Sequence, residues 1–70
     1  MITEEQARKT AADEAAHAYR DLSVYNVSAR LEDGRWHIDY ALKDPRRVGG
    51  GPHFTIAADT GEIIARRYEQ

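Results

Sequence analysis

Cysteine is absent from this 70-residue chain, which excludes disulfide staples and thiol chemistry. Long apolar runs are absent too, and no stretch approaches the ~18 residues of a membrane span. The opening residues, Met1-Ile2-Thr3-Glu4-Glu5, have neither the basic nor the apolar region of a secretion signal. A complete chain is therefore expected in the cytoplasm, and an excised domain in the cell envelope or outside the cell. A surplus of base is also missing. Residues 1–34 hold seven acids against four bases, or −3, and residues 35–70 hold five against six, or +1, for a net charge of −2. That balance argues against nucleic acid as a partner. Large apolar side chains are few, with one Trp, one Phe and one Met, so the core must be small. A chain of this length forms one domain, 1–70, and buries only about 60% of the surface its unfolded form exposes. A homodimer, a neighbouring domain or a bound partner is a natural source of further stability.

What is present is strongly patterned. Residues 3–20 read as a helix. Thr3 followed by Gln6 fits a capping box, and Glu4 and Glu5 occupy the first turn, where the helix dipole favours acids. Ala7, Ala11, Ala15 and Ala18 recur at helical spacing, extended by Tyr19 and Leu22. Small side chains let the helix lie close to its support. The opposite face carries Arg8, Lys9, Asp13, Glu14, His17 and Arg20 and reads as solvated.

Four strands follow at about 24–32, 36–43, 53–58 and 62–68. In the first, Val27, Ala29 and Leu31 alternate with Ser28, Arg30 and Glu32. Asp33-Gly34 supplies left-handed turn positions. In the second, Trp36, Ile38, Tyr40 and Leu42 point one way and His37, Asp39, Ala41 and Lys43 the other. Trp36 is expected to anchor the core, with Trp36→Ala costing about 3–5 kcal/mol if the ring is fully buried. Two prolines and three glycines between 44 and 52 make a loop. Phe54 and Ile56 point inward on the third strand, and Asp59-Thr60-Gly61 turns the chain. The fourth strand offers Ile63 and Ala65 on one face and Ile64, Arg66 and Tyr68 on the other. Both faces begin with isoleucine, so the pattern leaves open which is buried. The fold class expected is α+β, one N-terminal helix packed on one face of a four-stranded antiparallel sheet, in the order α-β-β-β-β. One helix covers one sheet face. The other is expected to show Ser28, Arg30, Glu32, His37, Asp39, Lys43, His53 and Thr55.

Motifs that suggest chemistry weigh lightly in their context. Gly49-Gly50-Gly51-Pro52 lacks the Lys-Ser/Thr and following helix of a phosphate loop, and its glycines are expected to let the backbone cross tightly beside the sheet. Asp59-Thr60-Gly61 spells an aspartic-protease triplet but sits in a hairpin turn of a domain too small for a catalytic cleft. Ser23, Ser28, Thr55 and Thr60 lie in no activating motif. No catalytic residue, cofactor or metal ligand is assigned, and the domain is expected not to be an enzyme. His37, Asp39 and His53 share the open face, and a metal or small-ligand site there is an alternative because imidazoles and a carboxylate bind zinc when they converge.

Three segments carry a family resemblance. Ile2-Thr3-Glu4-Glu5-Gln6-Ala7 opens the helix, an aromatic strand follows Glu32-Asp33-Gly34, and Ile56-Ala57-Ala58-Asp59-Thr60-Gly61-Glu62-Ile63 closes the pattern. Together they make the chain resemble the PepSY domain. The Gly-Gly-Gly-Pro-His-Phe approach is also similar to small bacterial immunity-type proteins. The resemblance implies a non-catalytic protein-binding module. It would act as a peptidase inhibitor or regulator, or as an immunity-like partner of a toxin. Contacts are expected from the open sheet face (Arg30, His37, Asp39, His53) and the loop (Arg46, Arg47). The alternative from another class is a structural module that self-associates.

Overall fold

The structure, a computed structural model, describes residues 1–44, 46 and 50–68. One helix, α1 (Glu4–Ala15), precedes four strands, β1 (Tyr25–Glu32), β2 (Arg35–Leu42), β3 (Pro52–Ala57) and β4 (Ile63–Tyr68). The strands form one antiparallel sheet in the order β1-β2-β3-β4, and α1 packs on its two central strands, β2 and β3. This is the α-β-β-β-β architecture that the sequence pattern requires.

The helix begins as its sequence dictates. The Gln6 amide donates to Thr3 Oγ1 at 3.1 Å and the Thr3 amide donates to Gln6 Oε1 at 2.8 Å, completing the capping box. Ala7, Ala11 and Ala15 are fully buried. The helix ends at Ala15, however, and not at residue 20. Beyond it the bonding tightens to three-residue steps, His17 to the Glu14 carbonyl and Ala18 to that of Ala15, and Ala18 is exposed. The competing interaction is tertiary. The Tyr19 ring packs edge-on against Tyr25 of β1 and beside Tyr68 of β4, which holds this segment where a continued helix would carry it off the sheet.

The β1–β2 hairpin closes on a two-residue turn in which Asp33 and Gly34 both adopt positive φ, 52° and 72°. That primed turn matches the twist of the flanking strands and sets Glu32 opposite Arg35. Period-two alternation then assigns every side chain of β1, β2 and β3 to a face. Ile38, Tyr40, Phe54 and Ile56 are buried under the helix, with Phe54 the largest fully enclosed side chain. Two expectations are corrected at the margins. Trp36 is only partly buried, its indole nitrogen donating to the Ile2 carbonyl at 3.3 Å. Leu31 lies on the helix side but is 44% exposed, because it sits on an edge strand beyond the reach of α1.

The open question about β4 is resolved by a bulge. Ile63 sits opposite buried Ile56, and a register shift follows, so that Ala65 faces Thr55, Arg66 faces Phe54 and Arg67 faces His53. One extra residue flips the phase of the strand. Ile63, Arg66 and Tyr68 therefore share the helix side and Ala65 and Arg67 the open side, while Ile64 is 52% exposed. Arg66 is accommodated on the helix side by an ion pair with Glu14 at 2.9 Å.

Five aromatic rings close one end of the domain. Tyr19, Tyr25, Tyr40, Phe54 and Tyr68 form a circuit with successive centroids 6.0–6.2 Å apart, and all but the Tyr19–Tyr68 pair meet edge to face. Such pairs add about 0.5–1.5 kcal/mol each beyond the area they bury. Gly51 lies against this circuit. A Cβ placed there would sit 2.6 Å from the Tyr40 carbonyl oxygen and 2.9 Å from the Tyr25 ring, so the tight crossing beside the sheet requires glycine.

Three consequences are measurable by chemical denaturation. Phe54→Ala should cost about 3–5 kcal/mol and Trp36→Ala clearly less, since only the first ring is fully enclosed. Gly51→Ala should cost about 1–3 kcal/mol through overpacking against Tyr40. Burial raises the Tyr40 hydroxyl above its ordinary value of 10.0, opposed by the Arg8 guanidinium. The neutral phenol is thus favoured in the folded state. Its contribution is fully present below the unfolded pKa and is lost as pH rises through the higher folded value. Stability should therefore fall with pH above about 10, and Tyr40→Phe should flatten that fall.

Candidate functional site

The face of the sheet opposite α1 is where the chemistry-bearing side chains collect. The strand register arranges them in two adjacent rows. One runs Arg30, His37, Thr55, Ala65 across β1 to β4, and the next runs Ser28, Asp39, His53, Arg67. A third row, Glu32, Arg35, Ala57, borders them at the turn end. Most of the first two rows, without Ser28 and joined by Phe54 and Arg66, line an open groove with a volume of about 430 Å³.

The centre of the groove is held by one short contact. His53 Nδ1 lies 2.7 Å from Asp39 Oδ1, across a directly paired position of β2 and β3. A carboxylate only accepts, so the imidazole donates through Nδ1, which fixes the ring's orientation. The pair is half screened from solvent, His53 being 24% and Asp39 44% exposed. At the β1 edge Arg30 Nε contacts Glu32 Oε2 at 3.2 Å, with both side chains more than half exposed. An ion pair in that setting contributes only about 0–1 kcal/mol, so Arg30 can exchange Glu32 for another carboxylate.

The sheet brings together four of the six surface residues singled out from the sequence, namely Arg30, His37, Asp39 and His53. Arg46 is not among the residues that line the groove. It is 90% exposed, and both its amide and its Nε reach Asp44 Oδ1, at 2.9 and 3.2 Å. Arg47, with Pro45, Val48 and Gly49 of the same loop, lies outside the described residues. Ala65, Arg66 and Arg67 of β4 also line the groove, beyond the residues expected on this face. Arg67 stands directly opposite His53, but strict alternation along 62–68 does not place it there, since the bulge resets the phase. The only local hint is the pair of isoleucines at 63 and 64, which a single alternating strand cannot bury together.

The other motifs take structural places. Asp59-Thr60-Gly61 is a hairpin tip, with Gly61 at φ 78°, its amide bonded to the Ala57 carbonyl at 2.8 Å and Thr60 Oγ1 accepting from the Glu62 amide. Among the described residues no group of three His, Asp or Glu side chains is placed to hold a metal ion, and no helix is long and apolar enough to cross a membrane. Three guanidiniums, two imidazoles, a threonine hydroxyl and one carboxylate engaged by histidine line the groove and make a surface suited to hydrogen-bonding and charge recognition. The chain matches no family model, no curated protein and no solved structure.

Proposed function

We propose that this chain is a non-enzymatic protein-binding domain of PepSY-like type, acting as a peptidase-inhibitor, regulatory or immunity-like module. One observation carries the reading. The single helix covers one sheet face, and the other gathers Arg30, His37, Asp39, His53 and Arg67 on rigid paired strands. Side chains held by a sheet present a pattern at low entropic cost on binding. The resemblance in the helix opening and the closing hairpin supports the same class of role. The partner is a peptidase or a toxin, contacted through this face with help from the loop at 44–52.

A second reading, self-association, is favoured by β1. It is an eight-residue edge strand, of which the Val27 carbonyl is capped by Arg8 at 3.0 Å. Edge strands of that length are templates for pairing with another chain. Light scattering after size exclusion separates the two readings, because a strict monomer at high concentration removes self-association.

The binding role is tested by affinity capture from a lysate of the source organism. The wild-type domain, a His37→Ala/Asp39→Ala double variant and an Arg46→Ala/Arg47→Ala double variant are compared after their melting temperatures have been matched. The partner should be retained by the wild type and lost from the first variant. Equal recovery by both double variants would show that contact is made elsewhere.

A further inference from the structure

We propose that β1 pairs antiparallel with β1 of a second copy about a two-fold axis at Ala29, joining the two sheets into one with both helices on the same face. The inference rests on the self-association reading and gives it a partner and a register.

The hairpin turn decides which backbone groups of β1 face outward. A two-residue turn is closed by a hydrogen-bonded pair, here Glu32 and Arg35. Such pairs alternate along an antiparallel ladder. Glu32, Arg30, Ser28 and Asn26 therefore bond to β2, while Leu31, Ala29, Val27 and Tyr25 turn their N–H and C=O groups to the open edge. Two contacts agree with that phase. The Lys43 amide donates to the Val24 carbonyl on the β2 side at 2.9 Å, and Arg8 Nη1 donates to the outward Val27 carbonyl at 3.0 Å. The outward Tyr25 amide is taken by the Leu22 carbonyl at 3.2 Å. Among the described residues no strand pairs with this edge. The span left for pairing runs from Val27 to Leu31, and its centre is Ala29.

Pairing about that centre sets Ala29 against Ala29 and Val27 against Leu31 of the second copy. Each outward N–H of the span then meets an outward carbonyl. The Val27 carbonyl serves Arg8 with one lone pair and the incoming amide with the other. On the helix side Leu31, 44% exposed because α1 does not reach it, is covered by Val27 of the second copy. On the open side Arg30 faces Ser28 and Glu32 faces Asn26, so no like charges stand opposite. Moving the axis to Arg30 sets arginine against arginine. Moving it to Ser28 sets Leu31 against Tyr25, whose amide is already used. The other edge strand, β4, is interrupted by a bulge, which blunts an edge, whereas β1 pairs regularly over eight residues.

A chain without cysteine makes the register measurable. Ser28→Cys and Arg30→Cys, both on the exposed side of β1, are oxidised with copper phenanthroline separately and as a mixture, after their melting temperatures have been matched to the wild type. In the proposed register position 28 faces position 30 of the second copy in a non-hydrogen-bonded pair, with Cα atoms about 4.5 Å apart, within disulfide reach. Identical positions are offset by two residues and lie roughly 8 Å apart, beyond it. The mixture should give the mixed disulfide dimer, read by mass spectrometry, about tenfold faster than either variant cross-links to itself. By light scattering, Leu31→Lys should weaken dimerisation about tenfold or more, while Ile64→Lys on the other edge should leave it unchanged. If the wild type dimerises but Ser28→Cys or Arg30→Cys cross-links fastest to itself, or Leu31→Lys has no effect, self-association stands and this pairing is wrong. A wild-type monomer up to about 1 mM removes the pairing and the self-association reading together.

Discussion

A single twelve-residue helix lying on two strands organises this domain. Its alanine stripe, Ala7, Ala11 and Ala15, sits against Ile38, Phe54 and Ile56, and these six side chains are almost wholly withdrawn from water. Small residues on the helix allow that close approach, and the large ones come from the sheet. The arrangement also limits the core. The helix spans β2 and β3 but not the edge strands, so Leu31 and Tyr68 on the same side remain partly exposed. Among the described residues no helix covers the other side of the sheet, and the positions there must be compatible with water or with a partner.

Both ends of this thin core are closed by contacts distant in sequence. At one end the aromatic circuit joins the segment after α1 to all four strands, and Gly51 lets the chain pass against Tyr40 and Tyr25. At the other end the residues before α1 act as a strap. The Ile2 amide donates to the Ala58 carbonyl at 2.7 Å, and the Ile2 carbonyl accepts from Trp36. The Ile2 side chain comes within 3.3 Å of where a Cβ on Gly61 would lie. The Asp59-Thr60-Gly61 tip thus serves the packing of the N-terminal segment. A domain with so little buried apolar surface depends on such closures, because each removes a route by which the layers would fray.

The open face follows from the same geometry. Residues that alternate with the core necessarily emerge on it, and pairing between strands turns sequence neighbours two apart into rows. His37 and Asp39 come from β2, His53 and Thr55 from β3, and the ladder sets Asp39 against His53 and Arg30 against His37. Rigid presentation of polar and charged side chains on a sheet lowers the entropic cost of recognising a complementary surface. The loop arginine Arg46 is held to Asp44 instead and does not line the groove.

The sequence alone determined the helix start, the primed turn at Asp33-Gly34, the faces of the first three strands and five of the groove residues. Each depends on short-range rules, namely capping, turn stereochemistry and period-two alternation, which operate within a few residues. Tertiary structure decided where α1 stops, how deeply Trp36 and Leu31 are buried, and the phase of β4. Those depend on what lies opposite in space. Tyr19 leaves the helix axis for two rings from β1 and β4, and Trp36 stays half-covered by a strap that begins at Met1. Arg67 reaches the groove only because a bulge between Ile63 and Ala65 shifts the strand by one residue against β3. A one-residue shift exchanges the two faces of a strand, and no local pattern encodes it when isoleucine stands on both.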